Sequence, residues 1–367
     1  MKGYSNAVSP HTSRRGVDEL SETLLAKGRA MKAVGYNKPG PVSGENALVD
    51  IDSPAVAPKG RDIRVSVSAV SVNPVDTKIR RGVAPAAGEY GILGWDAAGV
   101  VESVGPEASL FKPGDEVFYA GAIDRPGTNS EFHIVDERIV GRKPRTLGFA
   151  EAAALPLTAI TAWEAIFDRL KVSTPVPAGA HTILIVGGAG GVGSIAIQIL
   201  RQLTDLTIIA SASRSETQAW VKEMGAHHVV DHSKPLNEEV KRLGVEAPGF
   251  VFSTTETDKH FDAIVELMAP QGRFCLIDDP QPLDIKKLKR KSLSLHWELM
   301  FTRSLFGTPD IEEQHNLLNQ VSSMIDQGQI RSTMAAHFGT INASNLLRAH
   351  ALIESGTSRG KVVLEGF

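Results

Sequence analysis

From Met31 to about Val140, hydrophobic and polar positions alternate in short runs such as IRVSVSAVSV (63–72) and AGVVESVG (98–105), separated by turns such as KPGD at 112–115. A period of two places apolar side chains on one face of a strand, so this stretch predicts a mostly antiparallel β unit. From about Leu155 the texture changes, and apolar runs of strand length alternate with amphipathic stretches of helix length. The spacing predicts helix 158–170, strand 182–188, helix 192–203, strand 206–213, helix 215–224, strand 227–232 and strands near 250–255 and 273–278. Such alternation marks βαβ units on a doubly wound parallel sheet. The tail is expected to continue as helix 312–326, strand 333–338, helix 343–354 and strand 361–367. The fold class is therefore α/β, with a second, mostly antiparallel β unit, and neither internal repeats nor low-complexity tracts interrupt it.

A chain of 367 residues has room for two cores. Its 42% apolar and 22% charged residues are ordinary for a globular protein, and a net charge of -3 gives no footprint for nucleic acid. The basic run 286–291, within 283–301, reads as a local solvated face, and His227 and His228 as a solvated turn at a strand start. A single cysteine, Cys275, excludes an internal disulfide and any site needing several thiolates, and fits a reducing, cytoplasmic setting. No apolar run reaches the length needed to span a membrane. Residues 1–30 are polar and precede a second methionine, and we expect them to form a flexible extension outside the fold. Arg14-Arg15 suggest a mitochondrial transit peptide, but Asp18, Glu19 and Glu22 argue against one.

The strongest chemical signal is TILIVGGAGGVGSIAIQIL (182–200), where Gly188-x-Gly190-x-x-Gly193 follows an apolar strand and opens an apolar helix. Glycines there allow a tight turn, close approach of the backbone to a pyrophosphate and close helix–strand packing, and the helix N-terminus adds N–H donors. Gly188, Ala189, Gly190, Gly191, Val192 and Gly193 are thus candidate cofactor-binding residues of a Rossmann domain. An NAD-preferring site carries Asp or Glu at the end of the second strand. Here that strand ends in Ser211-Ala212-Ser213-Arg214, and Asp205 sits at its other end. Ser213 and Arg214 suit a 2′-phosphate, which favours NADPH; the alternative for Arg214 is a solvated residue at a helix start.

With these segments in view, GVVESVG…FKPGDEV (99–117), LPLTAITAW (155–163), VSVNPVDTKIRRG (70–82), GWDAAGVV (94–101) and GDEVFYAGAIDRPG (114–127) make residues 31–367 resemble the quinone oxidoreductase branch of the medium-chain dehydrogenase/reductases. The likeness is greatest to the subgroup called zinc-type alcohol dehydrogenase-like proteins. It implies a GroES-like substrate domain over 31–155, completed by 304–367, a Rossmann domain over 156–303, a site in the cleft between them and a homodimer.

At the positions that match the Cys, His and Cys zinc ligands of zinc alcohol dehydrogenases stand Asn73, Trp95 and Pro156, and Asp96 cannot hold a metal alone. We expect no metal. Without a Lewis acid, a quinone or α,β-unsaturated carbonyl is the more suitable hydride acceptor. The resemblance gives Asn73 as polar donor and Asp76 as orienting group. The other reading of Asn-Pro-x-Asp is a turn that bonds its own backbone. Thr158 resembles the threonine facing the nicotinamide ribose, or is a helix N-cap. Lys361 resembles the lysine reaching the cofactor from the tail, or is a solvated strand start. Trp95, Tyr119, Trp297 and Phe301 are candidates for a water-excluding wall, or for core. Two other activities stay open: alcohol or aldehyde oxidoreduction, and non-catalytic NADPH binding in a crystallin-like or RNA-associated protein.

Overall fold

The computed structural model describes residues 30–177 and 180–367. The expectation for the N-terminal extension lies outside the described residues, apart from Ala30, which opens the strand Ala30–Tyr36.

The long strand Asp62–Val72 organises the antiparallel unit. It pairs antiparallel with Ala97–Val104, Phe132–Asp136 and Lys361–Glu365, and Ile63, Val65 and Val67 point inward while the residues between them are half-exposed. Glu116–Tyr119 and Val140–Arg142 extend this sheet on one side, and Met334–His337 joins the tail strand in parallel on the other. A smaller sheet runs Val49–Pro54, Ala30–Tyr36, Gly91–Ile92. The tail thus closes a sheet begun nearly 300 residues earlier, as Lys361 reaching the Val72 carbonyl records with a separation of 289.

The second sheet is wholly parallel, in the order His228–Val230, Thr207–Ser211, Thr182–Val186, Phe250–Ser253, Arg273–Leu276, Ser294–Trp297. All five residues of Thr182–Val186 are buried, as a strand covered on both faces requires. Chain order reverses direction at this strand, and the crevice beyond its C-terminal end is where such sheets bind ligands.

Several expected boundaries move for identifiable reasons. The helix expected at 158 starts at Pro156, a residue suited to the first helical position, and runs to Trp163 before widening into a π-helical turn at Glu164–Arg169. That turn brings Glu164 and Asp168 onto the guanidinium of Arg303. The second parallel strand ends at Ser211, because Arg214 is already the N-cap of helix Ser215–Glu223. His227 lies in an exposed bend before the strand, as expected, and its Nδ1 accepts the Ile208 N–H at 2.9 Å. Among the elements not anticipated are the helix Pro74–Gly82, the helix Thr257–Leu267 and the edge strand Ser294–Trp297. Most of the basic run is exposed, as expected, with Lys291 partly covered. It forms a 3-10 segment, Ile285–Lys291, and Lys291 Nζ donates to the carbonyls of Val265, Glu266 and Met268 at the end of helix Thr257–Leu267. A cation there complements the negative end of the helix dipole.

Candidate active site

The glycine loop leaves Thr182–Val186 and enters helix Gly191–Leu203 with Gly190 as N-cap. Gly187 has φ +81, a left-handed conformation suited to glycine. Packing requires glycine at 193, where a Cβ would stand 2.5 Å from the Gly187 carbonyl oxygen and 2.7 Å from Gly188 Cα. The loop is pinned to the neighbouring strand end, for Gly188 N–H donates to the Ser211 carbonyl at 3.0 Å and Gly187 N–H to Ser211 Oγ at 3.0 Å. Ser211 Oγ in turn meets His232 Nδ1 at 3.0 Å. Sequence reading overlooked His232, although it lies two residues past the third strand.

Ser213 and Arg214 lie at the end of the second strand, beside this loop. Arg214 Nη2 donates to the Thr357 carbonyl at 2.7 Å, so its guanidinium is tied to the tail and is not merely solvated. The tail itself crosses the loop: Gly360 N–H donates to the Ala189 carbonyl at 2.9 Å, and Gly360 bridges Gly190 in parallel register. Gly360 has φ +51, and a Cβ there would lie 2.4 Å from the Thr333 carbonyl. The next residue, Lys361, lays its stem across Gly191, where a Cβ would meet Lys361 Cδ at 2.8 Å and Thr158 Cγ2 at 3.0 Å. Thr158 is not an N-cap; it lies inside helix Pro156–Trp163 and its hydroxyl donates back to the Leu155 carbonyl at 3.0 Å.

Lys361 is not solvated but buried at 3% exposure, and its ammonium enters a closed polar cluster. Nζ donates to the Val72 carbonyl at 3.0 Å, to Asn73 Oδ1, and to Asp96 Oδ2 at 3.0 Å. Asn73 Nδ2 donates to Asp96 Oδ2 at 2.7 Å and more weakly to the Ser71 carbonyl at 3.4 Å. Asp96 Oδ1 accepts the Leu157 N–H at 2.8 Å, at the N-terminus of helix Pro156–Trp163. Asp96 therefore joins four chain segments. The orientation of the Asn73 amide follows from its neighbours, since exchanging O and N would face oxygen to carboxylate and nitrogen to ammonium. With both amide hydrogens engaged, Asn73 is not a free donor, which corrects that expectation.

Asp76 caps its own helix. Its Oδ2 accepts the Asn73 N–H at 2.7 Å, with Asn73 as N-cap, Pro74 at the first helical position and Asp76 third, so the self-bonding reading of Asn-Pro-x-Asp describes this carboxylate. Burial pushes the Asp76 carboxyl up to about 7, while the Asn73 N–H and the Lys361 charge pull it down and Asp96 adds to the rise. Burial also raises Asp96, against the Lys361 charge and the donors from Leu157 and Asn73. The sign for stability follows directly. Between roughly pH 4, where an unfolded aspartate titrates, and 7, the folded chain holds a proton that the unfolded chain has lost, so stability falls as pH rises through that window. We expect the Tm of Asp76→Asn to vary less than wild type between pH 5 and 8; equal slopes would count against this.

Of the four aromatics, Trp95, Tyr119 and Phe301 are buried, and Trp95 meets Phe301 edge-on at 6.4 Å between ring centroids. Trp297 is 55% exposed on the edge strand and forms no wall. An exposed ion pair, Lys78 to Asp279 at 2.7 Å, links helix Pro74–Gly82 to the loop after Arg273–Leu276.

Zinc, which the subgroup's name implies, does not fit these residues. Trp95 Nε1 donates to the Ala122 carbonyl at 3.1 Å, Pro156 has no ligand atom, and the Asn73 and Asp96 oxygens already meet the Lys361 ammonium.

Two family models match the chain: an alcohol dehydrogenase GroES-like domain over residues 59–163 and a zinc-binding dehydrogenase over 191–322. A zinc-type alcohol dehydrogenase-like protein of Staphylococcus aureus (strain MSSA476) is 38% identical over 336 residues, 91% of this chain and 99% of its own length. The crystal structure of a putative zinc-dependent alcohol dehydrogenase protein from Rhizobium etli CFN 42 superposes with TM-score 0.91 at 65% identity, covering 93% of this chain and 99% of that one. A 2-methylene-furan-3-one reductase of Solanum lycopersicum is 34% identical over 230 residues, 60% of this chain and 57% of its own. The glycine loop on a parallel sheet, the accompanying GroES-like unit and these matches make the chain a medium-chain dehydrogenase/reductase, an NAD(P)-dependent oxidoreductase. Within that superfamily the chain belongs with the zinc-type alcohol dehydrogenase-like proteins.

Proposed function

We propose that this enzyme uses NADPH to reduce an electron-poor acceptor, a quinone or an α,β-unsaturated carbonyl, without a metal. The observation that carries this reading is the cluster of Asn73, Asp96 and Lys361, in which an ammonium occupies the polar centre and its carboxylate and amide partners are already satisfied. Bound nicotinamide supplies the hydride. Residues 156–303 form the cofactor domain in this reading. Gly188, Ala189, Gly190, Gly191, Val192 and Gly193 hold the pyrophosphate with the helix N-terminus, Ser213 and Arg214 take the 2′-phosphate, and Thr158 and Lys361 face the nicotinamide ribose. Asn73 and Asp76 act by position: Asp76 fixes the Asn73 backbone, and Asn73 holds the ammonium in place. The Solanum relative's named substrate is itself an enone, which supports that acceptor class.

A screen of quinones, enones, aldehydes and alcohols with NADPH and NADH, followed by nicotinamide absorbance, tests the proposal. Turnover confined to aldehydes or alcohols, or abolished by chelator, would sink it. Removing a charge-assisted contact costs about 1.5–3 kcal/mol when buried, and Arg214 is part-exposed, so Arg214→Ala should weaken NADPH about tenfold and leave NADH unchanged. Equal losses for both cofactors would remove Arg214 from the 2′-phosphate site. Exposed Trp297, Leu299 and Phe306 at and just beyond the edge strand support a homodimer formed there, and Trp297→Asp is expected to shift the mass in solution from dimer to monomer.

A further inference from the structure

A cavity of about 650 Å³ opens in the antiparallel unit, and none of the cluster residues Asn73, Asp96 and Lys361 lines it. Its walls are mostly apolar, with Tyr36, Ile79, Trp95, Ile123 and Phe132 among them. Two of these residues adjoin the cluster in the chain. Trp95 immediately precedes Asp96, and Ile79 lies one helical turn after Asp76. The charged side chains of the wall are already engaged: Arg125 holds Asp62 through two bonds of 2.8 and 2.9 Å, and Arg64 holds Glu102 and lies over the Phe132 ring at 5.5 Å. Lys59, Glu89 and Asp124 are exposed, at the rim. A volume in the range of ligand pockets, an apolar wall on which Arg64 and Arg125 are paired, and two wall residues that adjoin the cluster in the chain suit an uncharged hydrocarbon group, with the Lys59 ammonium exposed at the rim.

We infer that this cavity receives the apolar substituent of the acceptor, so that the preferred substrates are quinones or enones carrying an extended hydrocarbon chain, with the electron-poor ring at the cluster. This rests on the acceptor class proposed above and narrows it. Burial of successive methylenes should lower KM along a series from 1,4-benzoquinone to its butyl and decyl derivatives, by at least about tenfold overall, with kcat little changed. Ile123→Trp, which narrows the cavity, should flatten that series. Ala86→Trp, at the exposed mouth and remote from the core, serves the same purpose if the first variant misfolds.

A second measurement does not depend on turnover. Decylhydroquinone should quench tryptophan fluorescence of the full chain at concentrations at least about tenfold below hydroquinone, and Ile123→Trp or Ala86→Trp should remove that advantage. Binding that follows chain length without any quinone or enone turnover would uphold the cavity's role while refuting the proposed reaction. Turnover with KM and binding indifferent to chain length, or an advantage that survives both variants, would overturn the inference and leave the reaction standing.

Discussion

Lys361→Met is expected to lose about 3–5 kcal/mol of stability at neutral pH, because breaking a buried ion pair strands the remaining charge. Methionine keeps the length and apolar stem that packs across Gly191 but removes the only cation bonded to Asp96 among the described residues. Asp96 has no exposed surface, so water cannot replace the ammonium without opening the sheet. Urea unfolding measures the loss directly. Adding Asp96→Asn should restore much of it, since the amide still accepts the Leu157 N–H and carries no charge. A single-variant loss below about 1 kcal/mol, the scale of an exposed pair, would show that the pair is hydrated in solution.

Gly193→Ala is expected to weaken NADPH more than about 100-fold, since a displaced loop forfeits two or more charge-assisted N–H contacts at about 1.5–3 kcal/mol each. The new methyl group would press on the Gly187 carbonyl and the Gly188 backbone, neither of which can swing aside as a side chain does. The crowding should also lower stability by about 1–3 kcal/mol. Gly190→Ala is the control for the fold. Its φ is -68, and its nearest neighbour beyond the adjoining residues is 3.6 Å away, so its Tm should match wild type. Cofactor titration by fluorescence, with Tm alongside, separates the two effects. Near-normal affinity in Gly193→Ala would mean that the pyrophosphate lies elsewhere.

The parallel sheet and its loop were legible because their signals are local. A glycine motif between an apolar strand and an apolar helix carries its geometry within a dozen residues, and the alternation at 63–72 predicts which side chains of Asp62–Val72 turn inward. The helix Pro74–Gly82 was hidden by its own cap: Asn-Pro-x-Asp was read either as a donor with its orienting group or as a turn, although Asn before Pro with an acid at the third helical position is equally a helix start. Ser213 and Arg214 were assigned to a strand that stops at Ser211, a boundary fixed by the onset of the next helix. The Asp96–Lys361 pair had one sequence signal, a carboxylate in the otherwise apolar run LGWDAAGVV, and nothing local names its partner. Trp297 was counted among buried aromatics because side-chain size does not reveal that its strand lies at a sheet edge.

The crossing of Gly360 over Ala189 and Gly190 has a consequence for how the enzyme is made. On a translating ribosome, the six parallel strands and their glycine loop emerge some 60 residues before Gly360, the residue that closes over that loop. A nascent chain is thus able to assemble its parallel sheet early while the glycine loop stays uncovered until Gly360 has emerged. Stalled products ending before Gly360 should behave as folded sheets with an uncovered glycine loop.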